Sequence, residues 1–187
     1  MAKLVLASQS PRRKQLMEAA ELEFDIIIAD VDETNPPGMP GYEVPEHLAI
    51  KKTEAIASRV PDALIIAADT IVLLDEEILG KPIDEADAFT ILTKLSGRPH
   101  KVVTGVCMQQ GRKRVSFSTV TSVYFRSLTA EQIKHYITRH KPFDKAGAYA
   151  IQEWIGMIGI EKIEGDYYNV MGLPIGEVVG RLQEFDL

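Results

Sequence analysis

At 187 residues, 45% apolar and 26% charged, the chain can bury a core of one domain, or of one elongated domain with two lobes. Its formal net charge of −6 disfavours nucleic acid or an anionic membrane as partner, so any anionic ligand must be held by a local basic cluster working against the overall field. Met1-Ala2-Lys3 leads straight into Leu4-Val5-Leu6, too short for a secretory leader, no run approaches the roughly 20 apolar residues of a membrane span, and the one cysteine, Cys107, excludes an internal disulfide. These features suit a cytoplasmic protein with a plain buried thiol.

In chain order, Lys3 to Ala7 reads as a short strand. Ser10 before Pro11 supplies an N-cap and a first-turn proline for a helix from about Pro11 to Ala20. At about 100° per residue its inner side is Leu16, Ala19 and Ala20, flanked by Arg12 and Arg13. The helix dipole disfavours cations in a first turn, so two arginines there suit a bound anion, helped by backbone N–H groups and the hydroxyls of Ser8 and Ser10. A basic turn paired with some carboxylate is the plainer alternative.

Phe24 to Ala29 reads as a second buried strand, and Asp30 to Pro45, rich in Asp, Pro and Gly, as a surface loop. Glu33 lies in this loop, either solvated or a divalent-cation ligand acting with Asp69. From Pro45 to about Val60 the pattern is helical. Leu48, Ala49, Ala55, Ile56 and Val60 form an apolar stripe with Lys52 in its middle and Lys51 near one edge. Lysine is rarely buried alone, so Lys52 must snorkel, pair internally or meet a ligand phosphate.

Leu64 to Leu74 is an apolar run with Asp69 at its centre, the pattern of a strand buried on both faces. An unpaired carboxylate there would cost several kcal/mol or take up a proton, so Asp69 calls for cations around it. Asp75-Glu76-Glu77 reads as a hairpin turn that could return Lys81 towards Asp69. A helix follows from about Glu85 to Leu95, and then a hairpin of two long strands, His100 to Gln109 and Lys113 to Phe125. Thr129 caps a helix to about Arg139. Ala148 to Ile151 and Ile155 to Ile163 read as strands, Asp166 to Gly172 as one or two helical turns, and Pro174 opens a last helix to about Phe185. Strands and helices mix without strict alternation, which gives α/β with a mixed sheet. The four histidines, His47, His100, His135 and His140, lack zinc spacing, and neither GxxxxGK(S/T) nor GxGxxG is present.

Together these residues resemble the Maf family of nucleoside triphosphate pyrophosphatases. The likeness is carried by Leu6-Ala7-Ser8-Gln9-Ser10-Pro11-Arg12-Arg13, Glu33, Lys51-Lys52 with Ala55, Ala68-Asp69-Thr70 and Gly80-Lys81-Pro82. It continues through Leu95-Ser96-Gly97-Arg98-Pro99-His100, Val103-Thr104-Gly105, Asp144-Lys145-Ala146-Gly147-Ala148-Tyr149, Gly165-Asp166-Tyr167-Tyr168-Asn169-Val170 and Gly172-Leu173-Pro174. The order and spacing span almost the whole chain, which the resemblance makes one Maf-like domain over residues 1–187.

The resemblance implies an elongated mixed-sheet α/β fold with two lobes and a central cleft, shared with the inosine-triphosphate pyrophosphatases (Maf/Ham). It also implies a divalent cation, Mg²⁺ or Mn²⁺, and hydrolysis of the α–β phosphoanhydride to a monophosphate and pyrophosphate. Glu33 and Asp69 then hold the metal, with Asp69 the general base or water-orienting ligand. Ser8, Arg12, Arg13, Lys52 and Lys81 meet the triphosphate, while Thr70, one of the tandem arginines and Gln152 bear on specificity. Gln152 is similar to the branch acting on dTTP and UTP, whereas the branch acting on 7-methyl-GTP usually carries Glu there. Glu153-Trp154 follows where many relatives have smaller residues. The family also suggests a homodimer. The competing readings are the same fold acting on 7-methyl-GTP or another non-standard nucleotide, which kcat/KM across a nucleotide panel separates, and a nucleotide-binding regulator of cell division, which has little use for a water-activating carboxylate.

Overall fold

The computed structural model describes residues 3–185. Met1 and Ala2, part of the stretch read above as too short for a leader, lie outside them. Seven strands, β1 (Leu4–Leu6), β2 (Asp25–Ile26), β3 (Leu64–Leu74), β4 (Glu77–Leu79), β5 (Pro99–Gln110), β6 (Lys113–Phe125) and β7 (Ile160–Glu164), are laddered in the order β2-β1-β3-β5-β6-β7, with β4 pairing β3. The helices are α1 (Pro11–Ala19), α2 (Val44–Ala57), α3 (Glu85–Leu95), α4 (Ala130–His140), α5 (Trp154–Gly159), α6 (Tyr167–Met171) and α7 (Ile175–Leu182). The sheet is mixed, as expected: β1 runs parallel to β2 and β3, while β4 on β3 and β7 on β6 are antiparallel.

The described residues divide into two compact units. The first takes those up to Asp69, Thr104–Thr119 and those from Gly172 onward; the second takes Thr70–Val103 and Val120–Met171.

In the first unit, β1 and the start of β3 are buried throughout and stack Val5, Ala7, Ile65 and Ala67 on Ile56 of α2. Ladder bonds tie Ile27 N to Leu6 O and Ala7 N to Ile66 O, and there the pairing of β1 ends. On that side β3 has no strand beside it from there until β4 pairs with it at Val72, and its only partly exposed positions are Asp69 and Thr70. The strand is therefore apolar on both faces except where it passes the end of its neighbour. The docking of α2 depends on Gly105 in β5. A Cβ there would lie 2.1 Å from the backbone nitrogen of Glu46, so strand and helix start meet backbone to backbone.

Three expectations for this unit need correction. β2 is two exposed residues, not a buried strand over Phe24–Ala29, because it lies at the sheet edge. The buried side of α1 is Arg13, Leu16 and Met17, with Ala19 exposed. On α2 the stripe runs through Leu48, Ala49, Lys52, Thr53 and Ile56, and Ala55 is exposed. Cys107 is the buried free thiol expected, 3.2 Å from Thr53 Oγ1, and burial pushes its pKa up.

In the second unit, α3 starts on the Asp84 side chain, which accepts from Asp87 N at 2.8 Å. α4 starts on a capping box: Gln132 N donates to Thr129 Oγ1 and Thr129 N to Gln132 Oε1. Both helices pack Ala88, Leu92, Leu95, Ile133, Tyr136 and Ile137 against Val72, Val102, Val123 and Phe125 of the strands. The strand expected over Ala148–Ile151 is absent: a 3-10 turn at Ala146–Ala148 leads into a tight turn. Ile155–Ile163 is not one strand but α5 followed by β7.

His100 of β5 is buried, with Nε2 2.7 Å from the Tyr149 hydroxyl and its ring edge-on to Phe125. Burial pulls its pKa down from 6.5 to about 4. The unfolded chain thus binds a proton that the folded one refuses between those values, and stability falls as pH drops through that window. The loss is about 3 kcal/mol, complete near pH 4. Urea midpoints between pH 7 and pH 4 are expected to fall more steeply in the natural protein than in His100→Gln. Parallel curves would show that the imidazole is not the group responsible.

Candidate active site

The site in the first unit gathers at the carboxyl ends of β1 and β2, where β3 runs on past them and the loops are free to carry polar groups. β1 runs into Ser8-Gln9-Ser10, and Ser10 caps α1 by accepting from Arg13 N at 3.5 Å. The Ser8 hydroxyl accepts from Ser10 N at 3.1 Å and from Arg13 Nη1 at 3.2 Å. Arg13 Nε donates to the Gly172 carbonyl at 2.7 Å, which fixes the plane of the guanidinium. Burial lowers the pKa of Arg13. The carboxylate of Asp69 opposes that shift, Arg12 adds to it, and Glu33 opposes it again.

Lys52 resolves the question its position raised. Its side chain is only 8% exposed, and its ammonium donates to Asp69 Oδ1 at 2.8 Å and lies 2.7 Å from Glu33 Oε1. It is an internal ion pair with two carboxylates, neither snorkelling nor waiting bare for a phosphate. Asp69 comes from β3, where β1 has ended; Glu33 comes from the loop after β2, and its side chain is 50% exposed. Beside them Lys51 Nζ donates to the Asp32 carbonyl at 2.6 Å, which ties that loop to α2. Ser8, Arg13, Glu33, Lys52 and Asp69 thus form one cluster, with Arg12 half-exposed on the adjacent turn.

The remaining predicted residues belong to the second unit. The β3–β4 register pairs Val72 with Leu79 and Leu73 with Ile78, and Lys81 follows two residues after the end of β4. Lys81 is exposed and Thr70 half-buried. Gln152 is exposed in the turn before α5. Sequence reasoning missed the Arg13 bond to Gly172, which joins residues 159 apart and leaves no local trace. It also missed the partners around Glu153, Tyr136 and Lys145. Only the unusual Glu after Gln152 hinted at them.

The carboxylate pair is an all-oxygen donor set aimed at one cation, the character that suits a hard divalent ion. Magnesium is commonly held by one or two carboxylates plus substrate phosphates and water. Among the described residues no group of three or more His, Cys, Asp and Glu is assembled as a metal cage. Chemically, the cluster can hold anionic oxygens against Arg13 and Lys52 and offer a carboxylate to a water.

The chain is similar to known proteins in sequence and in fold. The sequence profile of the Maf-like protein family matches residues 3–185. A dTTP/UTP pyrophosphatase of Cytophaga hutchinsonii is 48% identical over 97% of this chain and 83% of its own length. Another from Parabacteroides distasonis is 43% identical over 98% of this chain and 96% of its own. Among solved structures, a HAM1 protein from Coxiella burnetii superposes over 99% of this chain and all of its own, with a TM-score of 0.54 at 15% identity, a likeness of fold. No helix among the described residues is long and apolar enough to cross a membrane.

Proposed function

The chain belongs to the Maf family, and from that membership we propose that it hydrolyses dTTP and UTP to the monophosphate and pyrophosphate, the activity named for its relatives. The observation that carries the mechanism is the Lys52 ammonium held between Asp69 and Glu33, with buried Arg13 alongside. We assign the whole chain to this one reaction, in the cytoplasm, and take a homodimer as its assembly.

A triphosphate brings roughly four negative charges, which a net-acidic protein must meet locally. We assign Ser8, Arg12, Arg13, Lys52 and Lys81 to the phosphate oxygens. Glu33 and Asp69 would hold Mg²⁺ or Mn²⁺, which when bound supplies charge neutralisation at the phosphates. Asp69 orients the attacking water and accepts its proton. The water oxygen forms the new bond to the α-phosphorus, the bond to the α–β bridging oxygen breaks, and pyrophosphate leaves with that oxygen. Lys52 holds the Asp69 carboxylate aimed, so the protein reorganises little as charge moves. Thr70 and Gln152 act in recognition. The amide of Gln152 offers a donor and an acceptor, which suits the alternating edge of a pyrimidine.

Pyrophosphate release from dTTP with added Mn²⁺ tests the reaction, and kcat/KM across dTTP, UTP and 7-methyl-GTP tests the preference. Gln152→Glu is expected to narrow the advantage of dTTP over 7-methyl-GTP about tenfold. An unchanged ratio would remove Gln152 from base recognition.

A further inference from the structure

Gln152 stands on a turn whose two flanks are tied to one buried atom. The Tyr136 hydroxyl accepts a hydrogen bond from the Ala150 backbone N–H at 3.3 Å and donates one to Glu153 Oε2. A phenol carries one donor and free acceptor capacity, so a single oxygen serves both flanks. The other oxygen of that carboxylate, Glu153 Oε1, lies 3.4 Å from the ammonium of buried Lys145, which also binds Asp144. His140 stacks on the Tyr136 ring at 4.9 Å. The turn also closes on itself: Glu153 N donates to Ala150 O at 3.1 Å, and Gly156 N to Glu153 O at 2.9 Å. At Gly156 the chain comes so near that a Cβ would sit 1.8 Å from the Ile151 carbonyl oxygen. The residue thought to read the base is therefore the one exposed side chain on a segment with its neighbours fixed on both sides.

We propose that Tyr136 is a positioning residue for substrate choice, its hydroxyl gripping Ala150 N–H and the Glu153 carboxylate so that Gln152 presents its amide at a set place and angle. This rests on the assignment of Gln152 to base recognition. Matching a donor and an acceptor to one base edge at once tolerates little displacement, and such placement comes from the residues behind the contacting one. Tyr136 suits that task because its ring is wholly buried in the core, so the oxygen it presents moves little. Lys145 holds the carboxylate from its far side, and His140 Nδ1 lies 3.9 Å from the oxygen that Tyr136 binds.

Steady-state kinetics of Tyr136→Phe, Gln152→Ala and the double variant on dTTP and dCTP test this. The two nucleotides differ on the pyrimidine edge that an amide reads. Tyr136→Phe keeps the ring and its packing, and is expected to raise KM for dTTP about tenfold with a smaller change in kcat. It should also lower the dTTP-over-dCTP ratio of kcat/KM, and do so far less in the Gln152→Ala background. Glu153→Ala, which leaves Tyr136 in place, should shift the ratio the same way, and Glu153→Gln, which retains an acceptor, should restore most of it. If Tyr136→Phe and Glu153→Ala lower only the melting temperature, or slow both nucleotides equally, the clamp is merely structural and the inference is overturned; loss of discrimination in Gln152→Ala would then still uphold that residue's own role. If Gln152→Ala itself leaves the ratio unchanged, both readings fall.

Discussion

Asp69→Asn is expected to lower kcat for dTTP by at least ~10²-fold, the usual scale for a positioned base, with the fold intact. The substitution keeps size and shape but cannot take a proton from water. Its neighbours stay anchored without it: Lys52 retains Glu33 at 2.7 Å, and Arg13 retains the Gly172 carbonyl at 2.7 Å. The loss should therefore appear in kcat more than in stability. Pyrophosphate release under saturating dTTP, read beside a urea denaturation curve, separates the two. Turnover near that of the natural protein would take proton transfer away from Asp69.

Lys52→Met is the second large effect, and here stability and activity fall together. The methionine fills the same slot on α2 but leaves two carboxylates facing each other around a nearly buried position. Removing one partner of a buried pair commonly costs 3–5 kcal/mol; with Glu33 half-exposed, about 2 kcal/mol is expected. Activity should drop by ~10²-fold or more as a phosphate contact is lost and the base drifts. The cost to stability belongs to the stranded charges, so Lys52→Met with Asp69→Asn should be less unstable than the two single losses added. Full additivity of the urea midpoints would show that Asp69 and Lys52 do not depend on each other.

Much of the fold was legible where one physical signal dominated. The apolar run Leu64–Leu74, the capped helix Glu85–Leu95 and the strand Lys113–Phe125 have the bounds read from their patterns. The misreadings fall where short apolar runs fit two periods equally well. Ile155–Ile163 contains two glycines and isoleucines at spacings that suit helix or strand, and its local packing makes the first part α5. Phe24–Ala29 looked buried by composition, but burial depends on a neighbour, and the sheet supplies one on a single side. For the site, residue types announced themselves as anomalies: Asp69 in an apolar strand, Lys52 in an apolar stripe, two arginines in a helix start. What stayed hidden was partnership. Nothing local ties Lys52 to a loop residue 19 positions earlier and a strand residue 17 later, and of the three fates open to its ammonium snorkelling came first and the internal pair second. The clamp behind Gln152 was less visible still, since Tyr136 in sequence is one more apolar position on an amphipathic helix.

The bond from Arg13 to the carbonyl of Gly172 bears on how the enzyme is made. A ribosome releases the chain from its N-terminus, and the strands, loop and helix that carry Ser8, Glu33, Lys52 and Asp69 emerge long before residue 172 does. A nascent chain can therefore assemble its acidic pair and their lysine while its key guanidinium still lacks the acceptor that sets its plane. The acceptor that sets the plane of Arg13 comes last, with the C-terminal stretch, so a prematurely terminated product lacks that bond.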